Sequence, residues 1–315
     1  GEIDEVAVPL PAGFELEASG PVAGEFTDVV VAQVISAEKH PQADKLQVCR
    51  VSTGSGEPLQ IVCGAANARA GLRTALARVG ASLPGGVAIT AARLRGVESQ
   101  GMLCSARELG LAETSDGILE LPTDAPLGAT LRDYLALDDT VLEFNVTPNR
   151  GDAMSMLGMA REVAALTGGV LRDMAMAPVA ATTHSVWPVR IAAPAACPRF
   201  LSRVIEGIDN RRLSPVWLRE RLRRAGMRSI SPVVDVTNYV LHELGQPMHA
   251  YDRALLDREI VVRLAQPGEA LQLLDGRQLE LAADVLVIAD ARGPVGMAGI
   301  MGGLRTAVSE GTADV

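Results

Sequence analysis

Short apolar runs separated by turn residues set the first limit on what this chain can fold into. The runs are DVVVAQVI (28–35), QVCRVS (47–52), LQIVC (59–63), a stretch over 71–79 and another over 87–94. Between them lie turns at 40–46 and 54–56 and a loop at 80–86, GASLPGG. Such runs are too short for helices and too evenly spaced for isolated hairpins, and they predict a small β-barrel. The barrel closes near Arg95-Gly96-Val97-Glu98-Ser99. A short helix over 105–109 ending at Gly110, and a strand over 116–121, are expected after it.

The flanking chain is of another kind. Residues 1–25 are rich in Pro, Gly and Glu and cannot fold alone, so they need a partner segment further along. A strand is expected over 142–148. A helix then runs from about 153 to 166, with Met156, Met159, Val163 and Leu166 on one face and Gly168-Gly169 as its stop. Residues 172–186 have the composition of a linker. A new domain opens near Val189 with strands at 189–193 and 200–208. A helix begins at Ser214-Pro215 and ends at Gly226. Strands are expected at 259–264, 271–274, 278–281 and 285–289, and a Gly-rich loop at 293–303. The pattern as a whole is α+β and multidomain.

The stretch from Ser231 to Asp252, SPVVDVTNYVLHELGQPMHAYD, combines a delimited helix with a histidine. Ser231 can cap it, Pro232 suits the first helical position, and Gly245 is a left-handed stop. Thr237 and Asn238 sit mid-helix against their propensity, and His249 follows the Gly245-Gln246-Pro247 turn. Two readings stay open: a satisfied core histidine, or a site.

Composition narrows the function classes. Aromatics are only 3% of the chain, which argues against binding by extensive base stacking. The net charge of −9 excludes a generic polyanion binder, so any nucleic-acid contact has to be local. Cys49, Cys63, Cys104 and Cys197 show no CxxC spacing, and with four histidines they form no zinc set. No metal ligands, no signal peptide and no membrane span are predicted, and a reduced, cytoplasmic setting is expected. The chain lacks an initiator methionine and ends like the start of a strand, so it reads as a piece of a longer protein.

Local charge is uneven. Residues 27–138 hold ten basic and twelve acidic side chains, so a barrel–RNA contact would depend on shape more than on charge. Residues 199–228 hold nine arginines against Glu206, Asp209 and Glu220, which favours a phosphate-facing patch or a dock for an acidic partner surface over a merely solvated helix face. The 293–303 run has no P-loop pattern, and its glycines are better suited to close approach of the backbone to a ligand. A Ser231, His249, Asp235 triad is possible by residue type only, because no nucleophile elbow is present.

Several motifs carry a family resemblance. HPQADKLQVCRV, QIVCGAANARAG and ARLRGVESQGMLCSARELGL resemble the tRNA-binding OB domain of synthetases and free tRNA-binding proteins. FNVTPNRGDAMSMLGMAREVAALTG, SPVVDVTNYVLHELGQPMHAYD, LLDGRQLEL and AGIMGG resemble, in the same order, the β chain of bacterial phenylalanyl-tRNA synthetase.

The resemblance implies an OB barrel over 26–139, inserted in an N-terminal domain built from 1–25 and 140–188. It implies an editing domain over 189–315 that hydrolyses tyrosine misattached to tRNA(Phe). The family's acidic residue that recognises the tyrosine hydroxyl falls in the strand after Val315. Activation with ATP and Mg²⁺ would belong to the partner α chain of a heterotetramer of two α and two β, with no cofactor on this part. No DNA or membrane partner is implied. Carried over by motif, His249 and Thr237 would be catalytic, and Asn238 with the Gly302-Gly303 backbone would bind substrate. Lys45, Arg93 and Arg95 of the barrel would meet tRNA, and on its charge the patch with Arg221, Arg223 and Arg224 would meet tRNA or the rest of the synthetase. The alternative is a non-catalytic RNA-binding scaffold.

Overall fold

The computed structural model describes residues 13–174 and 176–315, so the first twelve residues of the opening segment lie outside it. The chain divides into two compact units. The first runs to Asn145 and takes in Pro215–Glu220; the second is Val146–Ser214 with Arg221–Val315.

The opening strand β1 (Phe14–Pro21) finds its partner more than a hundred residues later, in Thr140–Val146. Between them lies a five-stranded antiparallel sheet. Its members are β2 (Val29–His40), β3 (Ala43–Ser52), β4 (Leu59–Cys63), β5 (Arg73–Arg78) and a fifth strand, Gly101–Cys104. The run Val29–Ala32 is continuously buried because both faces of β2 are covered. Val30, Ala32 and Val34 enter one core with Val51, Ile61 and Leu76; Val29 and Val31 enter the other with Ala75, Ala77 and Leu131. Alternation along a strand thus becomes two cores on one sheet. Register shifts at Val34/Ser36 and Lys39/His40 bend β2 as a half-barrel needs.

Four local expectations in this unit change. The predicted turn over 40–46 shrinks to Pro41-Gln42, because buried His40 organises it: its Nδ1 accepts from the Gln42 N–H, and its Nε2–H donates to the Leu94 carbonyl. The fifth sheet strand is Gly101–Cys104, not 87–94. Val87 and Leu94 are exposed, and that stretch splits into β6 (Ser82–Leu83) with β7 (Val87–Ala88) and β8 (Ala92–Leu94) with β9 (Val97–Ser99). The expected helix at 105–109 is a single turn closed by Glu108, whose carboxylate accepts from the Ser105 N–H and hydroxyl. No strand forms over 116–121. The Asn67 amide accepts from the Ile118 N–H and donates to its carbonyl, which does the work of a strand partner.

The second unit holds a sheet of Val189–Ile191, Ile260–Leu264, Leu286–Asp290, Gly293–Met297 and Met301–Gly302, in that order. The first pair is parallel and the others antiparallel. The Gly-rich run expected as loop is therefore mostly a hairpin, turning at Gly299 with φ +72°. Residues 200–208 form no strand, although Ile205 exchanges two backbone hydrogen bonds with Val315.

Two helices of this unit are named here α1 (Met156–Thr167) and α2 (Pro232–Leu244). The first starts three residues later than predicted, because Ser155 accepts from the Gly158 N–H and restarts the helix after a 3₁₀ turn. Met156 and Leu166 are exposed, and the buried position is Gly158. Helix α2 matches its predicted bounds, but Ser231 makes no side-chain cap. Asp235 instead lies fully buried and accepts from the Ser214 and Ser229 hydroxyls, each at 2.5 Å, and from the Ile230 N–H at 2.8 Å.

Arg263 and Glu269 form a largely buried two-point pair at 2.7 and 2.6 Å. The Arg263 hydrogen bonds hold the Glu269 carboxyl below its ordinary pKa, outweighing burial. A carboxyl depressed on folding stabilises above its unfolded pKa and loses that contribution as pH falls through the folded value. Glu269→Gln should therefore cost roughly 1 kcal/mol at neutral pH. The gap in thermal midpoint to wild type should close as pH drops below about 4. A gap independent of pH would refute this reading.

Candidate functional site

His249 arrives on the loop after α2, and that loop is pinned just beyond it. Asp252 is buried; it accepts from the Ala254 N–H and from the Thr312 hydroxyl, and its own N–H donates to the Thr306 carbonyl. The Tyr251 ring meets the His249 ring edge-on, with centroids 4.6 Å apart and planes at 71°. The other support of the imidazole is Gly302. A Cβ on that residue would lie 2.1 Å from His249 Cε1 and 2.4 Å from Nε2, so the ring occupies the space a side chain would take. Gly302 has no positive φ, so what the position needs is room and not backbone freedom.

His249 keeps a solvent-facing side while one face is packed. Partial burial lowers its pKa from the ordinary histidine value, which widens the pH range of the neutral ring. Burial pushes the Tyr251 phenol up, so it stays protonated. Among the described residues no hydrogen bond engages the His249 nitrogens or the Tyr251 hydroxyl. The result is a neutral, solvent-accessible imidazole on a floor of backbone, able to orient water or accept a proton.

The other predicted residues fall in several places. Thr237 donates to the Val234 carbonyl one turn back, and no hydrogen bond among the described residues joins Thr237 or Asn238 to His249. Gly303 faces the other way: a Cβ there would meet Leu271 at 2.7 Å and the Val295 carbonyl at 2.9 Å. Lys45, Arg93 and Arg95 are exposed. Arg95, at φ +48°, and Gly96, at φ +85°, form the two-residue turn joining β8 and β9. Through the Leu94 carbonyl, His40 holds this hairpin to the β2–β3 turn.

The arginine-rich stretch is less free than its sequence suggests. Arg223 and Arg224 are half-buried, and exposed Arg221 lies 3.7 Å from the Glu243 carboxylate. Asp235 is committed to Ser214, Ser229 and Ile230, so it orients no histidine and the triad reading is set aside. Thiol chemistry is also disfavoured: burial pushes Cys49 up to about 11 and Cys104 to about 12. Among the described residues no group of three or more His, Cys, Asp and Glu could hold a metal ion. Tyr251 was missed from sequence, although its place two residues after His249 in an aromatic-poor chain was a usable signal.

Comparison with known proteins ties the two regions together. One family model, a tRNA binding domain, matches residues 29–130; another, a B3/4 domain, matches 196–315. The Phenylalanine--tRNA ligase beta subunit of Methylococcus capsulatus is 56% identical over 304 residues, which is 96% of this chain and 38% of that protein. The one from Pectobacterium atrosepticum is 53% identical over the same shares. Along 96% of its length the chain is similar to phenylalanine--tRNA ligase β subunits. Those relatives are components of an aminoacyl-tRNA synthetase.

The chain spans 38% of the length of these β subunits. Within the family match, Lys45, Arg93 and Arg95 fall in the tRNA binding domain, and Thr237, Asn238, His249, Gly302 and Gly303 in the B3/4 domain. Among solved structures, an N-terminal fragment of the Pyrococcus horikoshii phenylalanyl-tRNA synthetase β subunit aligns over 55% of this chain and 53% of its own. Its identity is 14% and its TM-score 0.33. A MetRS related protein from the same organism aligns over 32% of this chain and 85% of its own, with 31% identity and a TM-score of 0.24. Among the described residues no helix is long and apolar enough to cross a membrane.

Proposed function

We propose that this chain is the tRNA-binding and proofreading part of a phenylalanine--tRNA ligase β subunit. In this reading an OB barrel over 26–139 is inserted in a domain made of 1–25 and 140–188, and 189–315 is the editing domain. The barrel docks tRNA(Phe) through Lys45, Arg93 and Arg95. The second unit contributes His249 to hydrolysis of tyrosine wrongly esterified to that tRNA. Thr237, Asn238 and the Gly302-Gly303 backbone bound the pocket. Aminoacylation itself, with ATP and Mg²⁺, resides in a partner α chain of an α₂β₂ enzyme in the cytoplasm.

A chemical need underlies the division. Tyrosine exceeds phenylalanine by one hydroxyl, and a hydrophobic pocket rejects such an addition only about 100-fold. A second site that hydrolyses the wrong product makes up the difference. The observation that carries the reading is the His249 ring lying on Gly302 inside the B3/4 match, packed on one face and open on the other. There the imidazole positions water against the ester, and the lowered pKa keeps it neutral at working pH.

The test is hydrolysis of tyrosyl-tRNA(Phe) by the complete α₂β₂ enzyme. His249→Ala should slow hydrolysis on the order of 100-fold while phenylalanine charging is unchanged. Unchanged hydrolysis would leave the second reading, a non-catalytic RNA-binding scaffold. That reading is favoured by the absence of any described hydrogen bond between Thr237 or Asn238 and His249. It predicts that Lys45→Ala, Arg93→Ala and Arg95→Ala weaken tRNA binding while hydrolysis ignores His249.

A further inference from the structure

The second unit contains a groove of roughly 850 Å³ that shares no lining residue with the His249–Gly302 site. Its walls come from three stretches, 188–192, 258–269 and 290–293, and they carry four arginines and three acids. The acids are already engaged. Glu259 pairs with Arg190 at 3.0 Å, Glu269 with Arg263 at 2.6 Å, and Asp290 with Arg305 at 2.7 Å. Arg258 and Arg292 are left, both exposed and without a carboxylate among the described residues. Arg258 has no hydrogen-bond partner there either, and the Arg292 side chain donates only to the Leu255 carbonyl, at 2.5 Å.

Their placement is built by a buried group. The Asp290 carboxylate accepts from the Asp257 N–H at 3.1 Å, the Arg292 N–H at 2.9 Å and the Arg305 guanidinium. It therefore ties the turn before β-strand Ile260–Leu264 to the turn after Leu286–Asp290, and each turn carries one of the unmatched arginines next to the tie. Arg258 also stands at φ +61°, a conformation that a long L side chain adopts only at a cost. A strained backbone carrying an unpaired cation into a groove is a combination that stability alone does not explain.

We propose that Arg258 and Arg292 form a phosphate-binding site in this groove, and that the phosphate it takes is that of the RNA backbone. The planar guanidinium fork matches phosphate oxygens two at a time. With the resident acids neutralised, the groove presents two uncompensated positive charges. Its volume exceeds what one phosphate needs and suits a stretch of sugar-phosphate chain. The assignment to RNA rests on the reading of this chain as a tRNA binder.

The test uses the whole chain and three proteins: wild type, Arg258→Gly with Arg292→Gln, and Lys45→Ala with Arg93→Ala and Arg95→Ala. Glycine relieves the positive φ, so the groove variant should melt no lower than wild type. Affinity for tRNA(Phe) is measured against salt. The groove variant should bind about tenfold more weakly at low salt. Its slope of log affinity on log salt should fall by roughly 1.4, two contacts at about 0.7 each. Unchanged affinity and slope overturn the proposal, as does unchanged tRNA binding alongside lost binding of polyglutamate, which would mark a dock for acidic protein. Loss of tRNA binding in the groove variant but not in the barrel variant supports the groove and counts against the barrel as the docking surface. If wild type binds no tRNA, the RNA-binding reading falls. Inorganic pyrophosphate then decides the phosphate site, whose binding must be present in wild type and lost in the groove variant.

Discussion

Asp235→Ala should destabilise the second unit by about 2–4 kcal/mol. The carboxylate is fully buried and accepts three hydrogen bonds, from two serine hydroxyls and one backbone N–H. Removing it leaves those donors without their acceptor, at roughly 1–3 kcal/mol for buried Ser214 and less for Ser229 and Ile230, which water can reach. Asparagine should recover part of the loss, because its Oδ1 can keep the Ile230 N–H bond while its NH₂ donates to the two serine hydroxyls, which also accept. Ser229→Ala, which removes one donor along with its bond, should cost only about 1 kcal/mol. Thermal or urea unfolding of the three variants gives the comparison. An Asp235→Ala chain as stable as Ser229→Ala would mean that the buried cluster is not what holds Ser214, Ser229 and Ile230 against α2.

Gly302→Ala should have the largest functional effect with little loss of stability. The new Cβ would fall 2.1–2.4 Å from the His249 ring, which must move. It can do so because its other side faces solvent, so the fold absorbs the change at no more than about 1 kcal/mol. A catalytic group displaced by an ångström or so loses on the order of 100-fold in rate. Two readouts separate displacement from general damage. The His249 pKa, followed by NMR, should rise towards the ordinary value of about 6.5, since burial is the cause of its depression. In a His249→Ala background the same substitution should change hydrolysis very little, because the group it displaces is gone. An unmoved pKa would show that the ring stays where it is and the steric account is wrong.

What the sequence made legible, and what it hid, follows from how local each signal is. Helix α2 was readable to the residue because Pro232 and Gly245 are local punctuation. Strands β2 to β5 were readable because their apolar runs are continuous or alternating over their own length. Two of the failures are places where a distant side chain replaced a backbone partner. Asn67 stands in for a strand beside Ile118, and His40 closes a turn with a carbonyl from Leu94. No window around 118 or 40 contains that information. At the site, His249 and Gly302 were named from motif resemblance, yet their mutual fit is a tertiary fact. The groove arginines were invisible, since Arg258 and Arg292 become neighbours in role only through Asp290.

The sharing of β2 between two cores has a consequence for how the first unit comes apart. Val30, Ala32 and Val34 belong to one hydrophobic cluster and Val29 and Val31 to the other, on opposite faces of the same backbone. Neither cluster can open while its half of β2 stays in place, and pulling out β2 exposes both. The two cores should therefore open as one cooperative element, with the amides of Val30 to Ala32 expected to exchange only through global unfolding.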